Sequence, residues 1–275
     1  MGVKFYYIYK SLAHPGLRGY VPPLTLQERL MHVHEAKRLF GSKIPWLCDT
    51  MDNDLNHALG NAQNSEFLID PEGKVIERQP WSHPENLRTI LDKTIGPVDQ
   101  PTTLTDLGKE FSVKWPSSKI PSGLLPKLQL PSRMVPLTIL PLKQKRSLPF
   151  YVKLHAQADQ SFLDHGKGKL YLGFFLDPIY KVHWNNLTKP LEFSLKLPAG
   201  VNVSPLKGFA PKIKEPSDKD PREFLLDINS NYYRQPLVLK VRYFACDDAN
   251  TFCVPVTQQY SIHLKPDLDR RSMQR

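Results

Sequence analysis

Leu239-Lys-Val-Arg-Tyr-Phe-Ala-Cys246-Asp-Asp-Ala-Asn-Thr-Phe-Cys253-Val-Pro-Val-Thr257 decides how this chain is read. Residues alternate in polarity up to Cys246, the period-two pattern of a half-buried strand. Asp247-Asp248-Ala249-Asn250 has the composition of a turn, and a second β-prone run begins at Cys253. Antiparallel strands joined in this way bring opposed Cβ atoms close enough for two sulfurs to bond. The pair has three readings: a structural clip, half of a metal site or an exchangeable dithiol. Asp247, Asp248 and His263 supply no recognisable ligand spacing. No cofactor is called for. A short enclosed loop is a weak staple, which favours exchange over the clip. The carboxylates of Asp247 and Asp248 are expected to raise the pKa of a neighbouring thiol by like-charge repulsion.

Outward from that hairpin the pattern is β throughout. Val152–Ala158, Gly168–Leu176, Tyr180–Trp184, Pro190–Leu197, Phe224–Ile228, Leu237–Phe244 and Val254–His263 read as strands. Their number and spacing predict a two-sheet, immunoglobulin-like sandwich over residues 145–265. Ser204–Arg222 reads as a surface excursion and 266–275 as a polar tail. Residues 97–144 form a proline-rich, basic linker, in which Met134–Leu142 is an edge-strand candidate between prolines.

Residues 1–96 have a different rhythm. Val3–Tyr9 is a dense β-branched and aromatic run suited to a buried strand. Thr25 and Glu28 form a capping box ahead of a helix running through Phe40. Ile44–Cys48 reads as a strand and Asp49–Ala62 as a short helix. Phe67–Asp70 and Lys74–Arg78 flank a Pro71-Glu72-Gly73 turn. Pro84 opens a last helix that Gly96 stops. Strand, helix, strand, helix, hairpin, helix is the order of an α/β thioredoxin-like unit lacking its opening strand and helix.

The formal charge is +10, yet residues 1–96 hold eleven basic and eleven acidic side chains, so the excess lies beyond them. No basic helix, zinc-finger spacing or aromatic RNA-binding motif accompanies it, and no nucleic-acid partner is expected. No stretch reaches the roughly 20 apolar residues needed to cross a bilayer. The first ten residues lack the basic region and apolar core of a signal peptide. Three cysteines permit one pair and one remainder, Cys48, which reads first as a small buried hydrophobe.

Two resemblances accompany these readings. Tyr9-Lys-Ser-Leu-Ala-His14-Pro15, Leu26-Gln-Glu-Arg29, Asp49-Thr-Met-Asp-Asn53 with Asn56-His57-Ala58, and Phe67-Leu-Ile-Asp-Pro-Glu-Gly73-Lys-Val resemble the iodothyronine deiodinase and peroxiredoxin-like group. That resemblance places His14, Cys48 and His57 at the rim of an old active site. The nucleophile-bearing segment of the group precedes anything present here, so no turnover is expected from residues 1–96.

Gly168-Lys-Leu-Tyr-Leu172, Tyr180-Lys-Val-His-Trp-Asn-Asn186, Pro190-Leu-Glu-Phe193, Phe209-Ala-Pro211 and Val241-Arg-Tyr-Phe-Ala-Cys246 with Phe252-Cys253-Val-Pro255 resemble a second family. This is the N-terminal disulfide-bond corrector domain of the DsbD thiol:disulfide interchange family. The resemblance implies thiol-disulfide exchange through Cys246 and Cys253 with a thioredoxin-like partner, Cys246 forming the mixed disulfide. It implies a protein-disulfide reductase or redox relay component of the periplasm or cell envelope. Phe252, Tyr180 and His183 are its candidate shielding or supporting residues, and Trp184 is equally well read as core. The rival reading is a non-catalytic interaction or scaffold module with a structural disulfide.

Overall fold

The computed structural model describes residues 2–61, 63–100, 103, 105–106, 113, 118–130, 133–143, 148–230, 235–271 and 273. Pro101, Pro116, Pro131, Lys145 and Arg146 of the proline-rich stretch lie outside the described residues. Strand outweighs helix, 38% to 18%, so the protein is mainly β. Two compact units are present. One comprises Met1–Lys10 and Val33–Trp115, the other Ser11–His32 and Pro116–Arg275.

The first unit corrects the α/β expectation. Strand β1 (Tyr7–Tyr9) pairs in parallel with β2 (Trp46–Cys48) over three residues. Helix α1 (Leu26–Phe40) lies between them in sequence, and the division between the units falls within it, after His32. Helix α2 (Asp54–Ala58) follows, its Leu55 and Asn56 amides held by the Asp49 carboxylate at 3.0 and 2.9 Å. Strands β3 (Glu66–Ile69) and β4 (Val75–Gln79) form a separate antiparallel hairpin, and α3 (Pro84–Ile95) ends at Gly96 with φ 90°. A thioredoxin-like unit requires its strands side by side in one sheet covered by helices. Here two isolated strand pairs stand in its place.

The physical reason is burial. The Val3–Tyr9 run has the composition of a buried strand, yet Phe5, Tyr6 and Tyr7 are 45%, 52% and 49% exposed. Ile69, Val75 and Ile76 on the hairpin are exposed as well. Composition supplied strand propensity, which depends on what packs against the strand. No common core joins the two pairs into one sheet.

The second unit carries eleven strands among the described residues. They are β5 (Met134–Pro141), β6 (Val152–Asp159), β7 (Lys167–Leu176), β8 (Val182–Asn185), β9 (Glu192–Lys196), β10 (Val201–Ser204), β11 (Lys207–Phe209), β12 (Ser217–Asp218), β13 (Arg222–Ser230), β14 (Leu237–Asp247) and β15 (Cys253–Pro266). A short helix α4 (Gln160–His165) joins β6 to β7, capped by the Asp159 carboxylate on the Phe162 amide. Hydrogen bonding runs β10-β13-β7-β6-β5-β15-β14-β8-β12, with β9 also on β14 and β11 on β9.

Every pairing is antiparallel, and β5 is the crossover. Its residues 134–136 pair with β6 and 137–141 with β15, so each half is an edge of its own layer. Pro136 and Pro141 are tolerated there because an edge leaves room for a missing N–H. Leu137, Leu154, Phe174, Phe193 and Tyr260 are fully or nearly fully buried in the shared core. This strand-rich unit is consistent with an immunoglobulin-like sandwich. The excursion after Ser204 differs from a bare loop: it contributes β11 and β12 to the sheet.

Strand β6 is buried along its whole length. Val152, Leu154, Ala156 and Ala158 enter the core, while Lys153, His155, Gln157 and Asp159 alternate with them and are buried too. Lys153 Nζ pairs closely with Asp177 and lies 3.4 Å from Glu28, and His32 Nε2 is 3.6 Å from Asp177. Burial opposes ionisation of Asp177, but Lys153 and His32 outweigh it and hold its pKa below the ordinary carboxylate value. Glu28 accepts from the Leu24 amide and the Tyr180 hydroxyl, both at 2.8 Å. The capping-box glutamate thereby joins residues 24–32 to the sandwich.

Residues 123–128 of the proline-rich stretch are tied down in the same unit. Asp220 accepts from the amides of Gly123, Leu124 and Leu125, and Glu223 from that of Leu128.

Candidate functional site

The β14–β15 hairpin places Cys246 opposite Cys253, and the two form a disulfide with Cα atoms 4.0 Å apart. The Asp247 amide donates to Phe252 O at 3.1 Å, so the cysteines occupy the adjoining non-hydrogen-bonded position, where Cα atoms approach closest.

The turn is built by Asp247. Its carboxylate accepts from the amides of Thr251 and Phe252 at 2.6 and 2.8 Å and from the Thr251 hydroxyl at 2.8 Å. These bonds, the Phe252 amide foremost, hold its pKa below the ordinary range. Asn250 takes a left-handed φ of 58°, which asparagine tolerates well.

Asp248 points elsewhere. One oxygen is 2.6 Å from Lys219 Nζ and the other 3.4 Å from His183 Nδ1. The expected repulsive effect of the two carboxylates on a thiol is therefore countered: one is bound by turn amides and the other by a cation and an imidazole.

Strand β8 lies on the far side of β14 and places His183 directly across from Cys246. Two residues on, Asn185 Nδ2 is 3.3 Å from Cys253 Sγ. The two sulfurs have unequal surroundings. Cys246, between β15 and β8, is 5% exposed, whereas Cys253 is exposed.

Trp184, between His183 and Asn185, faces inward. Its indole donates to Asp220 O at 2.7 Å, and the Arg222 guanidinium sits 4.9 Å above the ring. That is a core role. Phe252 packs on Tyr151 at 5.8 Å between ring centroids, and Tyr151 on Tyr180 at 5.3 Å. Burial, then the neighbouring Glu28, raises the Tyr180 pKa. Phe252 and Tyr180 thus meet through Tyr151 against the core, while His183 stands beside Cys246.

The three rim residues are divided between the two units. His14 is an exposed loop residue of the second unit. Cys48 ends β2 in the first unit, half-buried, with its sulfur 3.5 Å from Asp49 O. His57 is exposed on α2 of that same unit. Among the described residues no group of three or more His, Cys, Asp or Glu is arranged to hold a metal ion.

Sequence reasoning missed Asn185, Lys219 and Tyr151. Asn185 was within reach of it, two residues after His183 on an alternating strand. Lys219 and Tyr151 are brought in by tertiary folding and carry no local signal.

No protein-family model matches the chain, and comparison with curated proteins finds no match.

Proposed function

We propose that this protein exchanges electrons with a dithiol partner of thioredoxin type through Cys246 and Cys253. The observation that carries the reading is the asymmetry of the pair: an exposed residue, Cys253, bonded to a buried one, Cys246. A partner thiolate attacks Cys253 Sγ, the bond between the two cysteines breaks, and its electron pair leaves on Cys246 Sγ. The second partner thiolate then attacks the partner's own sulfur in the mixed disulfide and releases Cys253 as a thiolate. The partner leaves as a disulfide, this chain holds two thiols, and the protons of the partner dithiol balance the exchange.

Family resemblance assigns the attacked position to Cys246, whereas access favours Cys253, because exchange requires an open approach to the sulfur. The surroundings suit the released thiolates. Asn185 offers a hydrogen bond to Cys253 Sγ, and hydrogen bonding to a charged form favours it. His183 lies across from Cys246. The competing clip is disfavoured by the turn itself, since Asp247 already binds the loop that the disulfide encloses. Loop-closure entropy for so short a loop is small.

The test is equilibration of the full chain in glutathione buffers, with alkylation and mass analysis at Cys246 and Cys253. A midpoint between about −270 and −180 mV is expected, the range of known exchange proteins. A midpoint below about −300 mV, with no electron transfer to a thioredoxin-like protein, would establish a structural clip.

A further inference from the structure

The outward side chains of β14 continue from the disulfide as Phe244, Arg242 and Lys240, one every second residue and about 7 Å apart. Phe244 is opposed by Pro255 of β15, which extends a small apolar step beside the sulfurs. Past that step the surface becomes basic. Ser194 of β9 pairs with Lys240 on one side and with Lys207 of β11 on the other. A groove opens there, lined by Glu192, Phe193, Ser194, Lys207, Lys240 and Arg242. Three cations meet one carboxylate. The Arg242–Glu192 contact is 3.9 Å, and the Arg242 side chain is 58% exposed, so it neutralises little of the field.

We infer that this strip, from Cys253 across Phe244 and Pro255 to Lys207, Lys240 and Arg242, docks an acidic, thiol-bearing protein segment. The inference rests on the exchange reading above and specifies the partner. Charge complementarity identifies the occupant: carboxylates about two to three pleats, roughly 14–20 Å, from the partner's cysteine meet the basic groove while its thiol meets Cys253. A cleft lined by one sign of charge chiefly raises the association rate, and salt removes the gain.

The experiment follows reduction of the full chain by two dithiol peptides. They are identical except that one carries Asp and Glu, and the other Lys, at positions that reach Arg242 and Lys240. At low salt the acidic peptide is expected to react about tenfold faster, an advantage that disappears at high salt. Lys240→Glu with Arg242→Glu should abolish the advantage. Lys167→Glu with Lys265→Glu, an equal charge change at exposed sites elsewhere, should preserve it. Dithiothreitol should reduce all forms at one rate.

Equal rates for the two peptides, or equal losses in both double variants, would overturn the assignment. Binding of the acidic peptide with its cysteines replaced by serine, read by fluorescence anisotropy, separates docking from chemistry. If dithiothreitol reduces the pair but no preference appears in rate or binding, the docking strip fails alone. If the disulfide resists every thiol, the exchange reading fails, and the binding preference still decides the strip.

Discussion

A Cys246→Ser variant, in a Cys48→Ala background, should accumulate a covalent complex with a thioredoxin-like partner that keeps only its attacking cysteine and is supplied as that cysteine's mixed disulfide with thionitrobenzoate. The matching Cys253→Ser variant should accumulate almost none. The reason is access. Cys253 is exposed and Cys246 is 5% exposed, flanked by β8 and by the His183–Asp248–Lys219 group. Removal of the buried sulfur leaves the reachable one able to attack the partner's sulfur in that activated disulfide and expel thionitrobenzoate, with no second thiol on either protein to resolve the product. Cys48→Ala is included to remove the third cysteine, which is half-buried and outside the Cys246–Cys253 disulfide. Trapping through Cys246 with equal yield would reverse the order of events. It would imply that Cys246 becomes accessible before exchange. No trapping in either variant, with both proteins folded, would count against exchange altogether.

Asp177→Asn should destabilise the strand-rich unit by about 3–5 kcal/mol at neutral pH, read from denaturant unfolding of the full chain. Asp177 and Lys153 are essentially inaccessible, and removing one member leaves a buried charge short of its partner. Glu28 lies 3.4 Å from Lys153 and retains part of the compensation, which places the expected effect toward the lower value.

The pH dependence has a definite sign. The folded pKa of Asp177 lies below its unfolded value, so its contribution is fully present above the unfolded pKa of about 4. As pH falls below that value and through the folded pKa, the contribution is lost. The gap between wild type and Asp177→Asn should therefore be present in full near neutral pH and should narrow in acid. Lys153→Met with Asp177→Leu should recover part of the loss, because both charges leave together. A gap that stays constant into strong acid would show that the ion pair is not its source.

The strands of the second unit were largely legible in the sequence because their signal is local. Alternation along Leu237–Asp247 records one face turned to the core and one turned away, and that alternation survives whichever strands lie alongside. Prolines 136 and 141 marked an edge by the same local logic. The first unit was not legible in this way. Val3–Tyr9 has the composition of a covered strand, but composition does not say what covers it, and β1 gains only the three-residue β2 as a partner. The buried cluster was equally invisible, since Glu28, His32, Lys153 and Asp177 come from separated stretches and each alone reads as an ordinary surface residue.

Sequence by itself determined the β character of residues 145–265, the hairpin, and the opposition of Cys246 to Cys253. A short turn between two alternating runs sets the register without help from the rest of the chain. Tertiary structure alone decided that Cys253 is open and Cys246 covered. That difference depends on β8 pairing along β14 and on Lys219 reaching Asp248 from the excursion that follows β11. Both sulfurs lie at equivalent positions in their own strands, so no local pattern distinguishes them. Their exposure differs because β14 has a neighbour beside Cys246, whereas β5 pairs with β15 only from Tyr260 onward, and these pairings depend on packing of the whole sheet.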